Sequence, residues 1–282
     1  MIVDVHTHSF PERIAEKAIP AMSAAAKTTA YTKGTDAALS ASMDEAGIDI
    51  SVLLPVATNS GQVEKLNNIA IEKNEAFCGK GLFSLGCMHP EYEDYKNELS
   101  RIKDRGLTGI KLHPAYQDTD LDDKRYLRII DRASELGLAV MVHAGLDIGI
   151  MPHNFSSVGH ICTVLKEIAP RRFVLAHMGG WKGWNEVEST LCGENVYLDT
   201  SFSLERYEVP DGMFVPEEET RLMSDEQFLR ILKKHGADKI LFGTDSPWSD
   251  QKKTLEHIKR LVPDEKEQAL ILSENAFKVF SL

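Results

Sequence analysis

Cysteine is scarce. Cys78, Cys87, Cys162 and Cys192 are the four in a chain of 282 residues, too few and too scattered for a disulfide framework or a Cys-x-x-Cys zinc site; they are expected to be buried, reduced thiols. Basic charge is also short: 32 Lys and Arg against 43 Asp and Glu leave a net charge of −11. Basic pairs such as Lys233-Lys234 and Lys252-Lys253 fall in segments that read as solvated helix faces. Duplex DNA or an anionic membrane would meet net repulsion, so no nucleic acid and no membrane is expected as a partner. No run reaches about 18 uninterrupted apolar residues, and Met1-Ile2-Val3-Asp4 carries an acid where a secretory signal would be apolar. The expected location is the cytoplasm. No Gly-x-Gly-x-x-Gly follows the first apolar segment, which removes the main support for a dinucleotide fold.

What is present is a globular balance, 43% hydrophobic and 27% charged, arranged as short apolar runs alternating with amphipathic stretches. Strands are expected at 2–6, 50–56, 82–88, 109–113, 139–143, 173–177, 196–199 and 239–242. Helical i, i+3, i+4 spacing marks 66–77, 126–136, 161–168 and 227–234, and Gly137 and Gly236 stand where helix C-caps are needed. Alternating strands and helices imply an α/β protein with a parallel sheet. Eight such units at this length fit a single (β/α)8 TIM barrel, domain 1–282, better than an open sheet. Residues 9–34 and 202–225 exceed what barrel loops need; both follow strands and so belong to the C-terminal face, as covers over an active site or as plain surface loops.

The informative feature is how the strands end. The first runs into Asp4-Val5-His6-Thr7-His8, the fourth into Lys111-Leu112-His113, the fifth into His143, the sixth into His177 and the eighth into Phe242-Gly243-Thr244-Asp245. Period-two alternation turns His6 and His8 the same way, with Cα atoms roughly 6.5 to 7 Å apart. Two such rings can reach one ion, and His143 and Asp245 would complete a nitrogen-and-oxygen shell for zinc, or for Mn, Fe, Co or Ni.

With these residues the chain resembles the amidohydrolase superfamily, within it the amidohydrolase-2 branch that also holds the aminocarboxymuconate-semialdehyde decarboxylase-like enzymes. The resemblance rests on Asp-Val-His-Thr-His at 4–8, Gly-Ile-Lys-Leu-His-Pro at 109–114, Val-His-Ala-Gly at 142–145, Ala-His-Met-Gly-Gly at 176–180, Phe-Gly-Thr-Asp-Ser-Pro at 242–247 and Ser-Glu-Asn-Ala-Phe-Lys-Val-Phe at 273–280. It implies a distorted barrel with a metal at its mouth, His6, His8, His143 and Asp245 as ligands, and His177 as a ligand to a second metal or as an acid/base. Asp245 and His177 are the expected catalytic groups.

Lys111 shares the inward face of His113, and a buried Lys is rare unless paired or altered. It is either an ammonium paired with a carboxylate or with a substrate's acid group, or, by the resemblance, a carbamylated bridge between two metals. Substrate contact is also open for His113 and for His153, which lies on the loop after the fifth strand. His89 reads as structural, His235 and His257 as solvated on outer helices, and Trp181 and Trp184 as loop anchors. The expected activity is hydrolysis of an amide, lactone or ester bond of a small molecule by a metal-activated water. The alternative is non-oxidative decarboxylation of an unsaturated or aromatic acid by a lyase; a non-catalytic metal- or metabolite-binding barrel is a third class. A homodimer is the base-rate expectation for assembly.

Overall fold

The computed structural model describes residues 1–204 and 206–282. In chain order the elements are β1 (Val3–Thr7), α1 (Glu12–Ala26), α2 (Asp36–Ala46), β2 (Ile50–Leu53), α3 (Val63–Glu75), β3 (Gly81–Ser84), β4 (Gly86–Cys87), α4 (Tyr95–Asp104), β5 (Gly109–Leu112), α5 (Lys124–Glu135), β6 (Ala139–Val142), α6 (Val158–Glu167), β7 (Phe173–Leu175), α7 (Trp184–Glu186), β8 (Tyr197–Asp199), α8 (Glu217–Thr220), α9 (Asp225–His235), β9 (Ile240–Leu241), α10 (Gln251–Leu261), α11 (Glu265–Ala269) and α12 (Asn275–Phe280). All strand pairs are parallel, in the orders β1-β2-β3 and β4 through β9. β1 also meets the far end of the second sheet: the Val5 N–H donates to Phe242 O at 2.9 Å and the Asp245 N–H to His6 O at 2.8 Å. The architecture is a (β/α)8 TIM barrel.

The third expected strand is two strands. Side chains of α3 interrupt its ladder: Asn74 bonds the main-chain N–H and C=O of Ser84 at 2.8 and 2.9 Å, and the Asn67 Oδ1 accepts the Cys87 N–H at 2.7 Å. Backbone groups satisfied by amides have no need of a neighbouring strand. Two other expectations fail on burial. His235 and His257 are enclosed rather than solvated, His235 accepting the Gly193 N–H and facing Val196 O, and His257 lying 2.8 Å from Asp225. Of the four thiols, Cys87 is buried, Cys162 and Cys192 are half-buried and Cys78 is exposed.

Helix boundaries follow local chemistry. The Asp123 and Ser224 side chains cap α5 and α9 by accepting the N–H groups of Arg125 and Gln227, and both helices stop beside a glycine at positive φ, 70° at Gly137 and 98° at Gly236. The barrel interior is an apolar layer of Val3, Val5, Ile50, Val52, Leu85, Met141, Val174, Tyr197 and Leu241, closed at one end by Val279 and Phe280 of α12. Alternate residues of the same strands pack outward against the helices. Lys111 pairs with Met141 in register and shares its inward face.

The segment 9–34 holds α1, and 202–225 is pinned by bridges between Leu204 and Met223 and between Arg206 and Arg221. The two segments touch through the Thr29 N–H and Glu208 O at 2.9 Å, and the first reaches the end of the barrel through the Tyr31 N–H and Pro247 O at 2.7 Å. No described helix is long and apolar enough to cross a membrane.

Candidate metal and catalytic site

Beyond the apolar layer the inward positions turn polar. β1 carries one residue more than its partner between Asp4 and Thr7, a bulge of the kind that re-aims a side chain. Buried Asp4 anchors it: one carboxylate oxygen accepts the N–H groups of His6 and Thr244 at 3.1 and 3.0 Å, the other the Thr244 hydroxyl at 2.5 Å and the Gln251 amide at 2.8 Å. Burial, only partly offset by these bonds, pushes the Asp4 carboxyl up to about 7. Gly243 leaves the room His6 needs, since a Cβ there would lie 2.9 Å from the His6 Cβ.

The bulge brings His6 Nε2 and His8 Nε2 within 3.3 Å of each other, and 3.4 and 3.2 Å from Asp245 Oδ1. Next to them, His143 Nδ1 and His177 Nε2 are 3.0 Å apart, and the His6 and His177 ring centres are 5.1 Å apart. The loops bearing His143 and His177 interlock: Trp181 N–H donates to Ala144 O at 2.9 Å and Leu146 N–H to Trp181 O at 3.2 Å. Gly145, at φ 88°, has no space for a side chain, because a Cβ would fall 2.1 Å from the Trp181 nitrogen. Trp184 steadies His177 by donating its indole N–H to the His177 carbonyl at 3.0 Å, and both Trp181 and Trp184 are buried anchors.

The outward nitrogen of each imidazole faces an acceptor. His6 Nδ1 lies 2.8 Å from Asp199 Oδ2, His8 Nδ1 3.1 Å from Leu54 O, His143 Nε2 3.1 Å from Leu146 O and His177 Nδ1 3.0 Å from Ser201 O. Carbonyls and carboxylates accept only, so each outward nitrogen carries the proton and each inward nitrogen presents a lone pair. Burial, together with the Lys111 charge, holds His6 well below its ordinary value and lowers His143 to about 4; burial and neighbouring His143 lower His177 to about 4. These rings are neutral at neutral pH. For Asp245, burial acts upward, but the proton-bearing forms of the neighbouring imidazoles outweigh it, so the carboxylate gives up its proton well below its usual range. Lone pairs aimed at one another across 3.0 and 3.3 Å repel unless a cation lies between them. The close donor group His6, His8 and Asp245 therefore fits a divalent transition metal, while His143 presents its lone pair to His177 beside it.

His113, His143 and Asp147 form another close group. Asp147 Oδ2 is 3.6 Å from His113 Nε2 and 3.8 Å from His143 Nε2, on the nitrogen of His143 that carries its proton, and His113 Nδ1 accepts the Tyr116 N–H at 3.4 Å. The group reads better as imidazole N–H groups pointing at a carboxylate than as a second ligand set. Lys111 is buried beside both groups, and its Nζ has no hydrogen-bond partner among the described residues. Burial lowers it to about 8 against the pull of Asp199, Asp245 and Asp147.

Of the residues singled out from the sequence, His6, His8, Lys111, His113, His143, His177 and Asp245 come together. His153 does not join them: it is exposed, 2.7 Å from Asp120, with its ring against Phe155. His89 is buried and accepts the Glu91 N–H. Sequence reasoning missed Asp147 and Asp199. Asp199 ends the seventh expected strand and was open to the same strand-end argument; Asp147, on a loop four residues past His143, gave no periodic signal.

The amidohydrolase family model matches residues 3–282. The chain belongs to this family. Its fold is shared with solved members of the superfamily at low identity. The chain is similar to 5-carboxyvanillate decarboxylase from Sphingomonas paucimobilis (14% identity, TM-score 0.69, 100% of this chain and 99% of that one). It is also similar to a putative 2-pyrone-4,6-dicarboxylic acid hydrolase from Pseudomonas putida (16%, 0.65, 99% and 97%) and to a dihydroxybenzoic acid decarboxylase from Polaromonas with bound manganese (16%, 0.66, 100% and 97%). No curated protein sequence matches. An amidohydrolase-family barrel with His and Asp groups able to hold a metal is thus an enzyme scaffold, and its reaction has to be argued from its own residues.

Proposed function

We propose that this family member is a metal-dependent hydrolase that cleaves a C–N or C–O bond of a small amide, lactone or ester, and that residues 1–282 form one barrel domain. The observation carrying the reading is the set of inward lone pairs beside an ionised Asp245. His6, His8, His143 and Asp245 would hold the ion, zinc being the first choice for such a set and manganese having support from the Polaromonas structure. When bound, the metal would lower the pKa of a water to about 7 and polarise a substrate carbonyl. Asp245 engages His6 and His8 through Oδ1, which leaves Oδ2 to take a proton from the attacking water and return it to the leaving group. Neutral His177, with Nδ1–H held by Ser201 O, presents its Nε2 lone pair beside His143 Nδ1 as a proton acceptor. The interior ammonium of Lys111, with no hydrogen-bond partner among the described residues, favours a reaction that builds negative charge on oxygen.

Decarboxylation is the second reading, supported by the decarboxylases that predominate among the similar structures. The discriminating experiment offers lactones, amides and phenolic or muconate-type acids to the metal-loaded protein and follows carbon dioxide and hydrolytic product separately. Hydrolytic product without carbon dioxide is expected, with turnover lost on Asp245→Asn by at least about 100-fold. Carbon dioxide release would replace hydrolysis by the lyase reading, and full activity of Asp245→Asn would remove Asp245 as the proton carrier.

A further inference from the structure

We propose that Asp199 and Ser201 are positioning residues that lock His6 in the tautomer turning Nε2 inward and hold His177 in place beside it. Asp199 ends β8 and is wholly buried. Its Oδ2 faces His6 Nδ1 at 2.8 Å, and its Oδ1 accepts the N–H groups of His177 and Ser201 at 3.0 and 2.9 Å and the Ser201 hydroxyl. The hydroxyl has one proton and gives it to Asp199, so towards His6 Nδ1 at 2.9 Å and His177 Nδ1 at 3.1 Å it is an acceptor. Each Nδ1 therefore faces acceptors alone, and the protons of both rings are pinned on the side away from the site.

The same carboxylate fixes ring position. His177 and Met178 occupy the left-handed region, at φ 57° and 52°, which costs about 1–2 kcal/mol per residue for side chains with a Cβ. The Asp199 bond to the His177 N–H holds that turn from within the barrel. His8, His143 and His177 face main-chain carbonyls with their outward nitrogens, which no substitution removes directly, whereas for His6 the lock is built from two replaceable side chains.

For metal affinity the inference rests on the metal reading above; for the tautomers it stands alone. Asp199→Asn keeps a carbonyl oxygen for the two main-chain N–H groups and sets an amide N–H2 against His6 Nδ1, which forces that nitrogen to accept and moves the proton to Nε2. The test uses metal-free protein labelled with 15N in histidine, with His6 assigned by its loss in His6→Asn, and zinc titration against a chromophoric chelator. In the wild type His6 is expected as the Nδ1–H form. In Asp199→Asn it should shift to Nε2–H while His8 stays unchanged, and zinc binding should weaken by about 10- to 100-fold. Ser201→Ala, which removes less, should weaken zinc binding by a smaller factor and keeps the question answerable if the Asp199 variant does not fold. A wild-type His6 protonated at Nε2, or Asp199→Asn binding zinc within twofold of wild type, overturns the proposal. Wild type that holds His6 as Nδ1–H yet fails to bind any transition metal supports the lock and sinks the metal reading instead.

Discussion

Lys111→Met should make the metal-free protein more stable and the enzyme inactive. Burial shifts the Lys111 amine from 10.5 to about 8, and at about 1.36 kcal/mol per pKa unit the folded chain loses about 3 kcal/mol by keeping this group charged. The unfolded chain holds the proton up to about 10.5. Below pH 8 both states are protonated and the full penalty is present; between 8 and 10.5 the folded state releases its proton first, the unfolded state binds more protons, and stability rises with pH. Methionine fills a similar volume without charge, at a repacking cost below about 1.5 kcal/mol. A net gain of about 1.5–3 kcal/mol at pH 7 follows, or roughly 3–10 °C in Tm for a chain of this size. The assay is thermal or urea unfolding of chelator-treated wild type and variant at pH 7 and pH 10. The gain should shrink towards zero at the higher pH. A variant no more stable than wild type at pH 7, or a gain that is the same at both values, would refute the reasoning.

Gly145→Ala should cost about 3–5 kcal/mol, from a left-handed conformation and a Cβ driven into the Trp181 backbone; a Tm within 2 °C of wild type would contradict it. His153→Ala should leave kcat/KM within about twofold and stability within about 0.5 kcal/mol, because an exposed pair with Asp120 contributes little. Metal analysis of purified protein should find about one transition-metal ion per chain. Chelation should remove activity and lower Tm, and restoration by zinc or manganese identifies the working ion; two ions per chain would reinstate a binuclear site built on Lys111 and His177.

The barrel and most of its polar mouth were legible because both obey short-range rules. Parallel strands buried on both sides read as apolar runs, and the rule that such barrels concentrate chemistry at strand ends singled out His6, His8, His143, His177 and Asp245 without any contact information. The misses share a different origin. The break at Leu85 is made by Asn67 and Asn74, which belong to another element and compete for backbone groups that sequence position does not pair with them. His235 and His257 sit on outer helices next to charged residues such as Lys234 and Glu256, so the sequence pointed them outward, yet their ring nitrogens find partners in packed surroundings. Spacing alone treats β1 as regular. The inserted residue that aims His6 shows only in the register against β2.

The seam where β1 meets the segment beyond β9 sets the order of assembly. Asp4 and Thr244 bond across 240 positions of sequence, so a ribosome releases the His-x-His segment long before the carboxylate that faces it. At about 5–20 residues per second the interval is of the order of ten to fifty seconds. During it the chain offers a transition metal two neighbouring imidazoles, an open chelate with little power to choose among ions. Geometric selection arises only when the last strand docks, and closing so long a loop is among the slower steps of folding. On the metal reading proposed above, selectivity for one ion over another would be a property of the finished cylinder, acquired at the end of its making.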